Sequence, residues 1–214
     1  MRRLALCPLL LALALAACGG DGEEGAPTEA TTEDAAPATT TEPATTVAPT
    51  ETEMETEPAE PEGPPFGTSR AAGPASGGST ALLTAVRLGR NEGFDRVVFE
   101  FRPGATPGYR VRYVRPPIRE DGSGRRIEVD GDAFLSVRME PASGFDLTGE
   151  GELVYTGPTR LDGDDVGAEV VEEVVRTGDF EAVLNWVAGL DERVPFRVFV
   201  LSGPPRVVVD VRTG

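Results

Sequence analysis

Over most of the chain from residue 82 to the C-terminus, apolar side chains recur at every second position. Neighbouring side chains on a β-strand point to opposite faces, so this period buries one face of each segment and leaves the other in water. In GYRVRYV (108–114), Tyr109, Val111 and Tyr113 share one face and Arg110 and Arg112 the other. In AFLSVRM (133–139), Leu135, Val137 and Met139 alternate with Phe134, Ser136 and Arg138. In VPFRVFV (194–200), Val194, Phe196, Val198 and Val200 fall together. Turn-forming breaks separate the runs at Asp121-Gly122-Ser123-Gly124, Thr156-Gly157-Pro158 and Ser202-Gly203-Pro204-Pro205. Roughly eight to ten strands with no clear long helix predict an all-β chain, a single β-sandwich over residues 81–214. That length is enough for one core.

Two segments refine this expectation. Residues 168–190 (AEVVEEVVRTGDFEAVLNWVAGL) are readable as one helix or as a hairpin. Gly178-Asp179 at the centre and the Val-rich first arm favour the hairpin, with its turn at that pair. On that reading Phe180, Ala182, Leu184 and Trp186 share a face, and Trp186 is a core residue. RVVFEFR (96–102) and RVVVDVR (206–212) repeat one pattern. Each sets a row of arginines around an acid opposite a wholly apolar row, suited to a ladder of charge pairs across a sheet. They read as first and last core strands.

The upstream part is of another kind. Residues 18–80 are dominated by Thr, Glu, Pro, Ala and Gly, too poor in large apolar residues to offset the entropy of ordering. They read as a disordered acidic linker. Residues 19–80 hold 13 acids and one base, Arg70, so most of the chain's net charge of −16 lies there. Residues 1–17 have the order of an export signal. Arg2-Arg3 precede a short apolar run and the small residues Ala16-Ala17, and Cys18 follows. The run is shorter than the roughly 20 residues of a spanning helix. This order predicts a lipoprotein signal peptide cleaved before Cys18. An acylated Cys18 would anchor the protein in the membrane, on its extracytoplasmic face.

Absences narrow the chemistry. All 20 basic residues are Arg, and the chain has no His and no Lys. Of its two cysteines, Cys7 belongs to the signal and Cys18 to the anchor. Histidine triads, thiol nucleophiles, lysine Schiff bases and His-ligated metals are therefore excluded. No cofactor or catalytic residue is expected. An acidic exported chain is also a poor partner for nucleic acid.

Six stretches taken together carry a family resemblance: FDRVVFEF (94–101), PGYRVRYV (107–114), DGSG (121–124), YTGPTR (155–160), GDFEAVLNWVAGL (178–190) and PFRVFVLSGPPRVVVDV (195–211). They resemble the AMIN-like domain of exported proteins and lipoproteins of high-GC Gram-positive bacteria. The opening RVVFEF and closing PPRVVVDV are also similar to the AMIN domain proper, a β-sandwich of amidases and pilus secretins. The resemblance implies a sandwich fold, an envelope location and, by analogy, binding to peptidoglycan. It supplies no catalytic residues.

Tyr109, Arg110, Arg112, Tyr113 and Arg115 form the densest basic and aromatic cluster. Arginine forks suit carboxylates and phosphates, and tyrosines suit sugar faces. The cluster is therefore the candidate ligand site, for cell-wall polysaccharide or peptidoglycan. The alternative is an adaptor for an envelope protein, in which a sandwich edge accepts a partner strand. Asp162, Asp164 and Asp165 offer oxygen ligands, but their spacing is not that of a calcium loop, and no metal site is expected.

Overall fold

A computed structural model describes residues 63–148 and 151–214. The signal peptide, Cys18 and the linker as far as residue 62 lie outside the described residues. Thirteen strands follow in chain order: β1 (Ala71–Gly73), β2 (Ala81–Asn91), β3 (Phe94–Phe101), β4 (Gly108–Val114), β5 (Ala133–Glu140), β6 (Ala142–Ser143), β7 (Phe145–Asp146), β8 (Glu152–Leu153), β9 (Arg160–Asp162), β10 (Val171–Phe180), β11 (Val183–Leu190), β12 (Phe196–Leu201) and β13 (Arg206–Arg212). One sheet runs β1-β4-β5-β11-β10-β9 and the other β12-β13-β3-β2-β6, while β7 and β8 form a short hairpin. The chain is all-β, and its two large sheets pack as a sandwich.

The apolar rows form the core. Val97, Phe99 and Phe101 of β3 and Val207, Val209 and Val211 of β13 are buried in one cluster with Val111, Leu135, Val137, Met139, Leu184, Trp186 and Leu190 of the other sheet. The Phe99 and Trp186 rings meet across the sandwich at 5.8 Å. The Tyr155 and Trp186 rings meet in a T-shaped contact at 6.0 Å. Burying one Val, Leu or Phe side chain contributes about 1.5–3 kcal/mol. Trp186 is thus a core residue. A buried acid also joins the sheets. The Oδ2 atom of Asp95, at the start of β3, accepts hydrogen bonds from the backbone N–H groups of Glu169, Val170 and Val171.

Four details depart from the expectations. Residues 168–190 hold a hairpin of β10 and β11, but its turn is Glu181-Ala182. Both turn residues have positive φ, +50° and +59°, as a two-residue type I′ turn requires. Gly178 instead lies beside a register shift in β10, where a β-carbon would collide with the Asp121 carboxylate. The shift and turn free Phe180 and Ala182 from the Leu184–Trp186 row, and Phe180 is 63% exposed. Val200 likewise leaves the core at the end of its strand. The look-alike strands are not the first and last of the core, because β2 precedes β3. They are hydrogen-bonded neighbours, with Arg206 opposite Glu100 and Asp210 opposite Arg96. Finally, paired backbone begins before residue 81. Gly67 bridges Phe196, β1 pairs with β4, and Ser76 bridges Thr106. These contacts need backbone groups and small residues more than apolar side chains, so composition conceals them.

Candidate functional site

The outer face of the β4-β5-β11 sheet carries the candidate groove. Antiparallel pairing sets Arg110 of β4 directly opposite Arg138 of β5, and Arg112 opposite Ser136. Asn185 of β11 lies on the other side of Arg138. A loop of residues 115–132 leaves β4 and crosses this face before β5 begins. Asp121 holds it in place: its N–H donates to the Thr177 carbonyl at 2.9 Å, and its carboxylate accepts from the Asn185 amide. The loop's DGSG stretch is a turn, with Gly122 and Gly124 at positive φ. The Gly124 N–H donates to the Glu120 carbonyl. The Ser123 hydroxyl and then the Arg125 guanidinium hold the Glu120 carboxyl below its ordinary range.

Between the loop and the strands lies a groove of about 300 Å³ lined by Arg110, Arg112, Arg115, Arg119 and Arg138, with Asp121, Ser136, Thr177 and Asn185. A second depression of about 450 Å³ shares Arg110 and Arg138 with it and extends past Tyr109 to Gly73 and Ala75. Two of the five arginines are engaged. Arg138 binds Glu140 at 2.5 Å, and Arg119 donates to the Gly124 carbonyl at 2.9 Å. Among the described residues, no hydrogen bond or ion pair holds the side chains of Arg110, Arg112 or Arg115. Like charges directly opposite one another destabilise a strand pair, although Glu140 offsets part of the Arg138 charge here. The Arg110–Arg138 pairing is therefore a local cost.

The two tyrosines of the cluster lie on the other side of β4, where both pack against the core. The Tyr113 hydroxyl donates to the Val194 carbonyl at 2.6 Å and accepts from the Val194 N–H, and Arg193 stacks on its ring at 4.5 Å. Burial raises the Tyr113 phenol above its ordinary range, against smaller lowering effects of the Val194 hydrogen bond and the Arg193 charge. Tyr109 packs on Gly73 and is also raised by burial. It lines the second depression only, and Tyr113 lines neither. The structure thus brings Arg110, Arg112 and Arg115 together and separates Tyr113 from them. It adds Arg119 and Arg138, which the local cluster did not contain. Arg138 stood on the solvent side of AFLSVRM, but the register that carries it to Arg110 is a long-range property.

A model of the AMIN-like domain matches residues 81–213. The chain belongs to the AMIN-like family. The match begins at β2 and ends one residue past β13, so it covers both look-alike strands and every residue lining the 300 Å³ groove. β1 and the segment before it lie outside the match. No curated protein and no solved structure matches the chain.

Other candidates in the AMIN-like domain read differently. Asp162 accepts a hydrogen bond from the Asp164 N–H, and Asp164 and Asp165 sit in a short 3-10 turn, Asp164–Val166. Nearby, a hydrogen bond with Asp191 raises the Glu172 carboxyl above its ordinary range, helped by burial and the charges of Asp191, Asp164 and Asp130. Among the described residues, no three carboxylates are grouped as a metal ion would need.

Proposed function

We propose that this protein is a non-enzymatic lipoprotein, anchored in the membrane through an acylated Cys18, whose AMIN-like domain binds cell-wall glycan or peptidoglycan. The carrying observation is the set of Arg110, Arg112 and Arg115 in one groove, where none of them is ion-paired among the described residues and the one lining acid, Asp121, is hydrogen-bonded to Asn185. Family membership supports an envelope role. Among the described residues, no helix is long and apolar enough to cross a membrane.

The binding would be ionic and shared. An exposed arginine–anion pair is worth only about 0.2–1 kcal/mol. Several pairs formed along one tethered polymer add through effective concentration, so useful avidity needs no deep pocket. Ions at physiological strength screen exposed charges beyond about 8 Å. Binding to purified sacculi should therefore be measurable in low salt and weaken steeply as salt rises. Co-sedimentation at low and high salt tests this. A chain left in the supernatant at both salts contradicts wall binding and favours the adaptor reading. For an adaptor, β12 is the candidate edge: its outer side is bridged only at Phe196 among the described residues.

A further inference from the structure

The sandwich turns Tyr113 away from the arginines and leaves Tyr109 to the adjoining depression, and that division narrows the ligand. Sugars are commonly gripped by stacking on an aromatic face, yet no aromatic side chain lines the 300 Å³ groove. Tyr113, the ring nearest in sequence to Arg112, is turned inward and hydrogen-bonded to Val194. What the groove offers is several arginines and one acid, Asp121, which Asn185 already engages. Arg110 and Arg112 project from the same face of β4, about 6.6 Å apart at a strand rise of 3.3 Å per residue. Arg115 lies past the strand end, out of the two-residue alternation but still on the groove wall, and Arg138 stands across the strand gap, about 4.8 Å away along the sheet. A guanidinium fork matches the two free oxygens of a phosphate or the two of a carboxylate.

Several forks along one groove suit a ligand that repeats its charge. Peptidoglycan carries its carboxylates on peptide branches, and the sugar backbone between them offers no anion. A linear phosphodiester polymer carries one permanent negative charge in every repeat, only a few bonds from the next. Each phosphate could meet successive arginines without a branch having to reach the groove. The Ser136 hydroxyl, opposite Arg112, adds a donor on the groove floor.

We infer that the groove along β4 binds a linear phosphodiester polymer attached to the cell wall, with Arg110, Arg112 and Arg115 each pairing with a backbone phosphate. This rests on the wall-binding reading and gives it a ligand class. The full chain, purified in detergent, would be sedimented at low salt with intact sacculi and with sacculi stripped of phosphodiesters by hydrofluoric acid. Soluble poly(glycerol phosphate) would serve as competitor.

The expected result is pelleting with intact sacculi, at least tenfold weaker binding to stripped ones, and release by the soluble polymer. Arg110→Ala/Arg112→Ala/Arg115→Ala should lose the pelleting. Arg112→Glu, one exposed substitution that leaves the core untouched, should weaken it severalfold. Equal binding to intact and stripped sacculi overturns the phosphodiester assignment and leaves wall binding standing. Failure to bind either overturns both. Undiminished pelleting of Arg112→Glu and the triple variant overturns the groove as the site.

Discussion

Arginine stands on the outer faces of both sheets, and the two faces use it in opposite ways. Outside β12-β13-β3, Asp210 is fully buried between two guanidinium groups. Arg96 reaches it at 2.7 Å from one neighbouring strand and Arg197 at 2.7 Å from the other. Aromatic rings close the cluster: Arg197 lies 4.6 Å from the Phe66 ring, Arg96 lies 4.9 Å from Phe94, and Arg212 also packs on Phe66. Outside β4-β5, register sets Arg110 against Arg138, and among the described residues no acid is ion-paired with Arg110, Arg112 or Arg115. An arginine with a carboxylate at its cross-strand position is part of the fold. An arginine facing another arginine costs stability, and that cost makes it a candidate for external work.

The contrast is broken most forcefully at Asp210. Asp210→Ala leaves two largely buried guanidinium groups facing each other and removes their shared acceptor. Breaking such a pair costs about 3–5 kcal/mol. The melting temperature should fall by roughly 6–20 °C for a domain of this size, measured by thermal unfolding. Phe66→Ala uncovers Arg197 and Arg212 and should cost about 1–2 kcal/mol in denaturant titration.

On the inner side of β4, Tyr113→Phe removes the hydrogen bond to Val194, a loss of about 0.5–1.5 kcal/mol. The sign with pH follows from the raised phenol. Its contribution is complete below the unfolded-state value near 10 and disappears as pH rises through the higher folded-state value. Stability should therefore decline above about pH 10, and Tyr113→Phe should lose part of that decline in urea titrations at pH 9 and 11. The smallest effect has the opposite sign. Arg110→Thr relieves the pairing with Arg138 and places a good strand former on β4, so it should stabilise by up to about 0.5 kcal/mol. A clear loss of stability would make Arg110 a structural residue like Arg96.

Much of this contrast was legible in the sequence. Strict alternation in 133–139 and 96–102 named Leu135, Val137, Met139, Val97, Phe99 and Phe101 as core. The repeated Arg–acid–Arg pattern announced a charge ladder, and Asp210 forms it with Arg96 and Arg197. The two turn assignments differed because the sequence signal was on the wrong residue. Glycine marks positive φ, but Glu181 and Ala182 adopt it without glycine, while Gly178 is needed for the close approach of Asp121. The arginine groove was half visible. Arg110, Arg112 and Arg115 are neighbours in the chain, whereas Arg138 and Arg119 arrive through strand register and the path of a loop. The contacts of residues 63–80 were hidden for a related reason, since a segment that joins a sheet edge by its backbone needs no apolar pattern.

The measurement that bears most directly on the central claim is sacculus pelleting of the full chain beside its Arg110→Ala/Arg112→Ala/Arg115→Ala variant, with the melting temperature of each. An open, functional arginine face predicts melting within a few degrees of the parent and at least a tenfold loss of low-salt binding. A variant that melts like the parent and pellets as well as it does would contradict the account.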